Sequence, residues 1–357
     1  MFAPTHFRER SMELRYQQYL ALKAEHPHKY ARDLAAMAGL REAELTLARV
    51  GHDACALRPD FATLLPALRA VGETKTINRN EYAIHEQVGQ YENVKLQPHV
   101  GLVLNPRGLD LRLFAAQWQS VFALNEQTPQ GELQSIQLFD SQGDSALKIY
   151  ATPNTSKAAW QALIERYTVT LAPALDLAPE PVATNSPRLD TAQVEQEWRA
   201  MTDVHQFFGL LKRHGLSRQQ AFRAVPNNLA YQVENDALRV LLPRLEAAGN
   251  EVMIFVGNRS CIQVFTGPVQ KQAPIEDWLN IFNPTFTLHL REDTIAESWV
   301  TRKPTRDGMV TSLELFAADG VQIAQLNGQR TEGEREQRHW RQQIAALDGE
   351  GAHAGAA

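Results

Sequence analysis

Two stretches carry apolar positions at helical spacing interrupted by a glycine: Lys29 to Val50, broken at Gly39, and His205 to Ala224, broken at Gly215. Each predicts a pair of helices. Behind each pair the pattern changes to a period of two, in which apolar and polar residues alternate over short runs. Val100–Leu104, Leu109–Phe114 and Leu133–Phe139 carry it in the first half of the chain. Val252–Val256, Cys261–Phe265, Phe286–Leu290 and Val310–Phe316 carry it in the second. These runs predict strands of antiparallel sheet. Leu315 to Ala324 predicts a hairpin, because Asp319-Gly320 tolerates the positive φ of a tight turn. A late helix carrying Trp160 or Trp340 closes each half.

The halves also match each other when the chain is shifted by 177 to 180 positions. Asn78-Arg79 falls on Asn258-Arg259, Asn105-Pro106 on Asn283-Pro284, and Trp160 on Trp340. Ser135-Ile-Gln-Leu-Phe139 with Gly143 falls on Ser312-Leu-Glu-Leu-Phe316 with Gly320. The same order at nearly the same shift points to duplication. The expected fold is α+β, two homologous halves, each a large antiparallel sheet with flanking helices. The proline-bearing stretch 171–190 reads as a linker between a first half, 1–170, and a second, 191–347. The composition of 348–357 predicts a disordered tail.

Composition narrows the class. The chain has 357 residues, 44% of them hydrophobic and 22% charged, which suits an ordinary globular protein. No run approaches the ~18 consecutive apolar residues of a membrane span, and Met1 to Arg10 lacks the order of a signal peptide, so a cytoplasmic protein without membrane insertion is expected. Cys55 and Cys261 are too far apart in sequence for a local metal or redox pair. A net charge of −5 gives no general attraction for nucleic acid. Tyr30 to Leu45 has the small-residue and glycine spacing of a helix-turn-helix, but its second helix carries Glu42 and Glu44, which would face phosphates, so a structural helix hairpin is the better account. The phosphate-binding glycine loop, the Gly-x-Gly-x-x-Gly fingerprint, His-Glu-x-x-His and Gly-x-Ser-x-Gly are all missing. His26-Pro-His28 suits a polar turn between helices better than a metal site.

The helix near Thr202 is more informative. Thr202 or Asp203 is placed to cap it, His205 falls in its first turn, and Gly209 lies on the same face four residues on. Phe207, Phe208, Leu210 and Leu211 surround that face with apolar groups, and Ser217-Arg-Gln-Gln220 reads as a capping box opening the next helix with Arg218 in its first turn. An imidazole beside a glycine and near an arginine suits a planar anionic ligand with an axially bound metal. On spacing alone, a partly buried histidine in an ordinary packed helix accounts for the same pattern.

The longer motifs carry more. Arg79-Asn-Glu-Tyr-Ala-Ile-His-Glu-Gln-Val88, Thr202-Asp-Val-His-Gln-Phe-Phe-Gly-Leu-Leu-Lys-Arg-His214, Asn283-Pro-Thr-Phe-Thr-Leu-His-Leu290, Ser298-Trp-Val-Thr-Arg-Lys-Pro304 and Gln329-Arg-Thr-Glu-Gly333 are spread over both halves. Through them the chain, from about Tyr16 to Ile344, resembles the bacterial cytoplasmic haem-utilisation proteins of the HemS/HmuS type, also called hemin-degrading factors. The resemblance implies haem b, as both substrate and cofactor, in a cleft between the halves with His205 as the axial iron ligand. It implies Arg112 as the distal arginine, Arg218, Lys303 and Arg330 around the propionates, Gln325 as a further pocket residue, and His85 as a secondary or transfer ligand. For Arg112, spacing alone also fits a surface cation paired with Asp110. Asn327 stands where relatives commonly carry tyrosine, which suggests a looser or wetter pocket there. The first half has no close equivalent of His205 or Arg218, since Lys29 and Glu42 align there, so one haem per chain is expected.

The activity implied is reductive, oxygen-dependent opening of the haem ring with release of iron. Electrons would come from an external reductant or reductase, because no flavin or nicotinamide fingerprint is present. The alternative is a non-catalytic carrier or store that receives haem from an inner-membrane importer. His205 and the same basic residues would serve either.

Overall fold

The computed structural model describes residues 4–97, 100–171, 174–179, 190–331 and 333–351. In the first repeat three helices, α1 (Pro4–Glu25), α2 (Ala31–Met37) and α3 (Glu42–Ala48), precede β1 (Ala54–Leu57) and α4 (Phe61–Ala67). Then come β2 (Gly72–Arg79), β3 (Ala83–Gln90), β4 (Val94–Lys95), β5 (Gly101–Leu104) and β6 (Asp110–Leu113). Long strands β7 (Trp118–Thr128), β8 (Gly131–Asp140) and β9 (Ser145–Thr155) lead into α5 (Lys157–Tyr167). The second repeat follows the same order. It has α6 (Thr191–Arg199), α7 (Gln206–His214), α8 (Arg218–Arg223), β10 (Ala230–Val233) and α9 (Ala237–Ala248). After β11 (Glu251–Gly257), β12 (Cys261–Pro268), β13 (Lys271–Gln272), β14 (Trp278–Phe282) and β15 (Phe286–Arg291) it repeats the long strands as β16 (Ile295–Thr305), β17 (Gly308–Ala317) and β18 (Gln322–Gly328), and ends in α10 (Arg338–Gly351). Among the described residues the strands make two nine-stranded antiparallel sheets.

The chain divides into two compact units: Met1–Arg79 with Glu86–Pro181 and Asn258–Ile262, and Asn80–His85 with Val182–Gly257 and Gln263–Ala357. The two short exchanged segments were not expected. In the first unit the strands run in the order β1-β7-β8-β9-β2 over a core that includes Ile136, Leu138, Ile149, Trp160 and Tyr167. In the second they run β10-β16-β17-β18-β11 over Leu241, Leu245, Ile254, Leu313, Leu315 and Trp340. Burying each such side chain contributes about 1.5–3 kcal/mol before entropy is counted.

The expected duplication is present in the topology, with one correction to its register. Asn80 Nδ2 donates to the carbonyls of Gly257, Gln322 and Ile323, while its Oδ1 accepts from Tyr82 N and Ala83 N. Asn258 does the same in the first unit, to Arg79, Ser145 and Ala146, accepting from Ser260 N and Cys261 N. The structural equivalent of Asn258 is therefore Asn80, two residues past the Asn78 that the sequence match chose. Gly39 and Gly215 both take positive φ, +67° and +61°, and end the first helix of each expected pair. The Asp319-Gly320 hairpin is also present, with Gly320 at φ +86°.

Of the expected linker, residues 171, 174–179 and 190 are described, and Ala178 N donates to Ser141 O at 2.7 Å. Positions 172, 173 and 180–189 lie outside the described residues, as do 352–357 of the expected tail. α10 continues to Gly351, into the stretch whose composition predicts disorder.

Candidate functional site

α7 starts at Gln206, two or three residues later than a cap at Asp203 or Thr202 predicts, so His205 stands at its N-cap with φ −68° and ψ −21°. Asp203 does not cap the helix. Its Oδ1 accepts from His205 N at 2.8 Å and bonds the ring Nδ1 at 2.7 Å. A carboxylate only accepts, so Nδ1 carries a proton, and in the neutral ring that leaves the lone pair on Nε2. The His205 side chain is 84% exposed, and Phe208, at i+3 on the same helix, is 72% exposed. An exposed imidazole nitrogen beside a bare aromatic ring is a suitable seat for a flat, metal-bearing ligand.

The inner face of the same helix is fixed by an aromatic cluster. Phe207 packs edge-on against Trp198 and stacks on Phe222. The Arg218 guanidinium lies over the Phe207 ring at 5.2 Å, and Lys303 Nζ lies over it at 4.8 Å. The helix that presents His205 is thus held against the basic residues behind it.

Those basic residues meet on a sheet face. In β16, β17 and β18, Thr301 pairs Ser312, Ser312 pairs Asn327, and Glu314 pairs Gln325, so period-two alternation puts all five on one side with Lys303. The expected capping box is formed, Ser217 Oγ accepting from Gln220 N and Gln220 Oε1 from Ser217 N. It opens α8 so that Arg218 extends over this face. Glu314, fully buried, is the hub. Its Oε2 accepts from Arg218 Nε and Gln322 Nε2, both at 2.9 Å, and its Oε1 accepts from Lys303 Nζ at 2.7 Å, Ser312 Oγ at 3.0 Å and Thr301 Oγ1 at 3.2 Å. Burial alone would push the Glu314 carboxyl up; Arg218 and Lys303 outweigh it and hold it at about 2. Burial pulls the Lys303 ammonium down to about 8, Glu314 opposing and Arg218 adding to the pull. Lys303, Arg218 and Glu314 together keep one net positive charge, which suits an anionic ligand edge.

Arg218, Lys303 and Gln325 are therefore brought together. Gln325 is turned by its neighbours, its Oε1 accepting from Arg218 Nη2 at 3.1 Å and its Nε2 donating to Asn327 Oδ1 at 2.8 Å. Asn327 in turn donates to Thr311 O at 3.2 Å and is buried, so this position is internally bonded where a looser pocket was expected. Lys303 is turned inward, its side chain only 6% exposed, and acts on the site through Glu314. Arg330 bonds Asp307 at 3.3 Å and stays partly exposed.

His85 and Arg112 each have other surroundings. His85 is completely buried, its ring 4.7 Å from that of Phe286, with no hydrogen-bond partner for either nitrogen among the described residues. Burial holds it neutral, down to about 3. It packs in a core and offers no nitrogen to a surface ligand. Arg112 belongs to the first unit, where β6 sets its guanidinium against Asp110, two residues back on the same strand face. That is the ion pair its spacing allowed. Burial pushes the Asp110 carboxyl up, against the pull of Arg112.

The haemin-degrading HemS.ChuX domain matches this chain twice, over residues 39–167 and 215–347. The chain belongs to that family. HmuS of Yersinia pestis, called a hemin transport protein, is 60% identical over 335 residues, covering 93% of this chain and 96% of the relative. HemS of Yersinia enterocolitica, of the same description, is also 60% identical, over 93% and 97%. Among solved structures, the Escherichia coli O157:H7 heme degrading enzyme ChuS superposes with a TM-score of 0.90 at 59% identity, over 94% of this chain and 99% of ChuS. Holo-PhuS, a heme-binding protein from Pseudomonas aeruginosa, superposes at 0.89 with 40% identity, over 93% and 97%. The two family matches coincide with the two repeats.

The hub itself was missed. Glu314 in Ser312-Leu-Glu-Leu-Phe316 reads as the outward position of a strand, although its partners Arg218 and Lys303 lie 96 and 11 positions away. The one available signal was the repeat, in which Gln137 occupies the matching place.

Proposed function

We propose that the protein binds haem b with His205 Nε2 as the axial iron ligand and opens the macrocycle to release iron. The observation that carries this reading is the exposed His205, with Nδ1 occupied by Asp203 and Nε2 free, on a helix packed against a buried cluster of net positive charge. The donor set fits haem: a neutral imidazole suits the iron, and guanidinium groups suit the propionates. Arg218 and Arg330 would bond the propionates, and Gln325 would contact the same edge. Lys303 would add field from behind Arg218, and Phe208 would cover the ring. The distal role of Arg112 rests on the family resemblance alone. When bound, the haem supplies the redox-active iron and is itself the substrate. The chain's part is to orient it, neutralise its acidic edge and hold one axial position.

Degradation is supported by ChuS, a heme degrading enzyme at 59% identity. A second reading, haem carriage without chemistry, is supported by the Yersinia relatives, which are called transport proteins at 60% identity. In either case we place the protein in the cytoplasm, receiving haem from an inner-membrane importer and, for degradation, electrons from an outside reductant. No helix among the described residues is long and apolar enough to cross a membrane.

The test is to load apoprotein with one equivalent of hemin, add a reductant in air with catalase, and follow the spectrum of wild type beside His205→Ala. A Soret band that decays to an open-chain tetrapyrrole spectrum, with loading impaired in the variant, supports degradation at His205. A stable band that only shifts on reduction supports carriage. Equal loading of both proteins refutes the site.

A further inference from the structure

We propose that Asp203 is a positioning residue for haem iron, fixing the tautomer and orientation of His205 and strengthening it as an electron donor; this rests on the reading above. The geometry is local and closed. One carboxylate oxygen accepts both the His205 backbone N–H, at 2.8 Å, and the ring Nδ1–H, at 2.7 Å, so backbone and side chain of the ligand residue are held by one atom. The turn carrying this pair is anchored on either side. Thr202 N donates to Gln206 Oε1 at 2.8 Å, Gln206 N to Asp203 O at 3.1 Å, and Arg306 N to Thr202 O at 3.0 Å, tying the turn to the tip of the β16–β17 hairpin. No rearrangement is needed to present Nε2 outward.

The chemical consequence follows from charge. A histidine that donates its second ring N–H to a carboxylate is a more basic ligand than one that donates to water, and it favours the more highly charged metal. Asp203 is 57% exposed in the free protein, so the pair is screened there. A porphyrin laid over His205 and Phe208 would cover part of this turn, and the interaction would strengthen as water leaves. The protein would then hold ferric haem more firmly than ferrous haem, and reduction would be the demanding step for an outside donor.

Asp203→Asn and Asp203→Ala separate the two contributions, since the amide oxygen still accepts from Nδ1–H but carries no charge. In the free protein, nitrogen-15 chemical shifts of the His205 ring report the tautomer. Wild type and Asp203→Asn should show the Nδ1–H form, and Asp203→Ala a mixture with Nε2–H. In the hemin complex, the ferrous iron–histidine stretch by resonance Raman should fall, and the midpoint potential should rise, from wild type to Asn to Ala. Asp203→Ala should also lose about 10–100-fold in hemin affinity. Identical tautomer, stretch and potential in all three proteins would overturn the role of Asp203. If His205→Ala binds hemin with unchanged spectrum and affinity, the haem site itself is wrong; if only that variant fails while the Asp203 variants match wild type, the haem site stands and Asp203 has no part in it.

Discussion

Replacing Glu314 by glutamine keeps the shape of the hub and removes the charge that meets Lys303 at 2.7 Å and Arg218 at 2.9 Å. Removing one partner from a buried ionic cluster costs about 3–5 kcal/mol, because the remaining charges stay in a poor solvent. Lys303 has a way to reduce that cost. Its ammonium already sits at about 8 in the fold, against 10.5 in the unfolded chain, and without Glu314 it falls further. The variant therefore folds with a neutral lysine at pH 7, while the unfolded chain still binds the proton. Stability rises with pH wherever the unfolded state holds the extra proton. In the variant that range already includes pH 7; in wild type it begins at about 8. Between pH 7 and 8 the variant should gain about 1.4 kcal/mol, the value of one pKa unit, while wild type, half titrated at 8, gains about 0.4, so the gap should narrow by about 1 kcal/mol. Urea unfolding followed by tryptophan fluorescence reads this directly, since Trp198 lies under Lys303 and Trp299 is the cross-strand neighbour of Glu314. A loss under about 1 kcal/mol at pH 7, or a gap that widens on going to pH 8, would refute the hub argument.

The same ammonium should make hemin binding pH-dependent: affinity weakens from pH 7 to 9 as Lys303 loses its charge near 8, and Lys303→Met flattens the profile. A flat wild-type titration would count against it. Glu336 accepts from Thr311 N at 2.7 Å, and its other oxygen has no partner among the described residues; burial pushes it up to about 7, against the Thr311 bonds. Because its folded value lies above the unfolded 4.5, its contribution is full below about 4.5 and is lost as pH rises through 7. Glu336→Gln should then be near neutral at pH 4.5 and stabilising by up to about 3 kcal/mol at pH 8; equal destabilisation at both would contradict this. A Cβ on Gly328 would lie 2.6 Å from the Trp340 ring, so Gly328→Ala should cost about 1–3 kcal/mol in thermal or urea unfolding, and an unchanged midpoint would mean that α10 shifts freely.

The readable parts of the fold were those with a clean period. All seven strand runs chosen from alternation exist, as do the glycine-broken helix pairs, because one face of each is apolar and the other polar. β2 was invisible for the opposite reason: its inward positions are Thr74, Thr76 and Asn78, all buried and all polar, so no apolar alternation marks it. β7 and β16 were missed because neighbouring positions are buried on both faces, which erases the period. The site divides the same way. His205 and the α8 capping box are local patterns and could be read from adjacent residues. Gln325 and Arg330 needed the family resemblance. Glu314, which organises them, depends on a sheet register that no window of sequence contains.

The duplication makes the basic site a question of charge rather than fold. The register of β7, β8 and β9 puts Glu126, Gln137, Lys148 and Tyr150 where the second repeat has Lys303, Glu314, Gln325 and Asn327, and α3 begins with Glu42 where α8 begins with Arg218. Lys148 bonds the buried Glu42, and Glu126 is taken by Arg49, which also holds Asp53. Counted over these equivalent positions, the first repeat carries one net negative charge where the second carries one net positive charge. The two backbones offer the same face, and at these positions it is the second that carries the charge suited to a carboxylate edge. At the position of His205 the first repeat offers Lys29 or Tyr30, depending on whether the helices are aligned on Gly39 and Gly215 or on their N-caps, and neither is an imidazole. On the function proposed above, a few charge exchanges across one sheet face after duplication would be enough to direct an anionic, iron-bearing ligand to the second half.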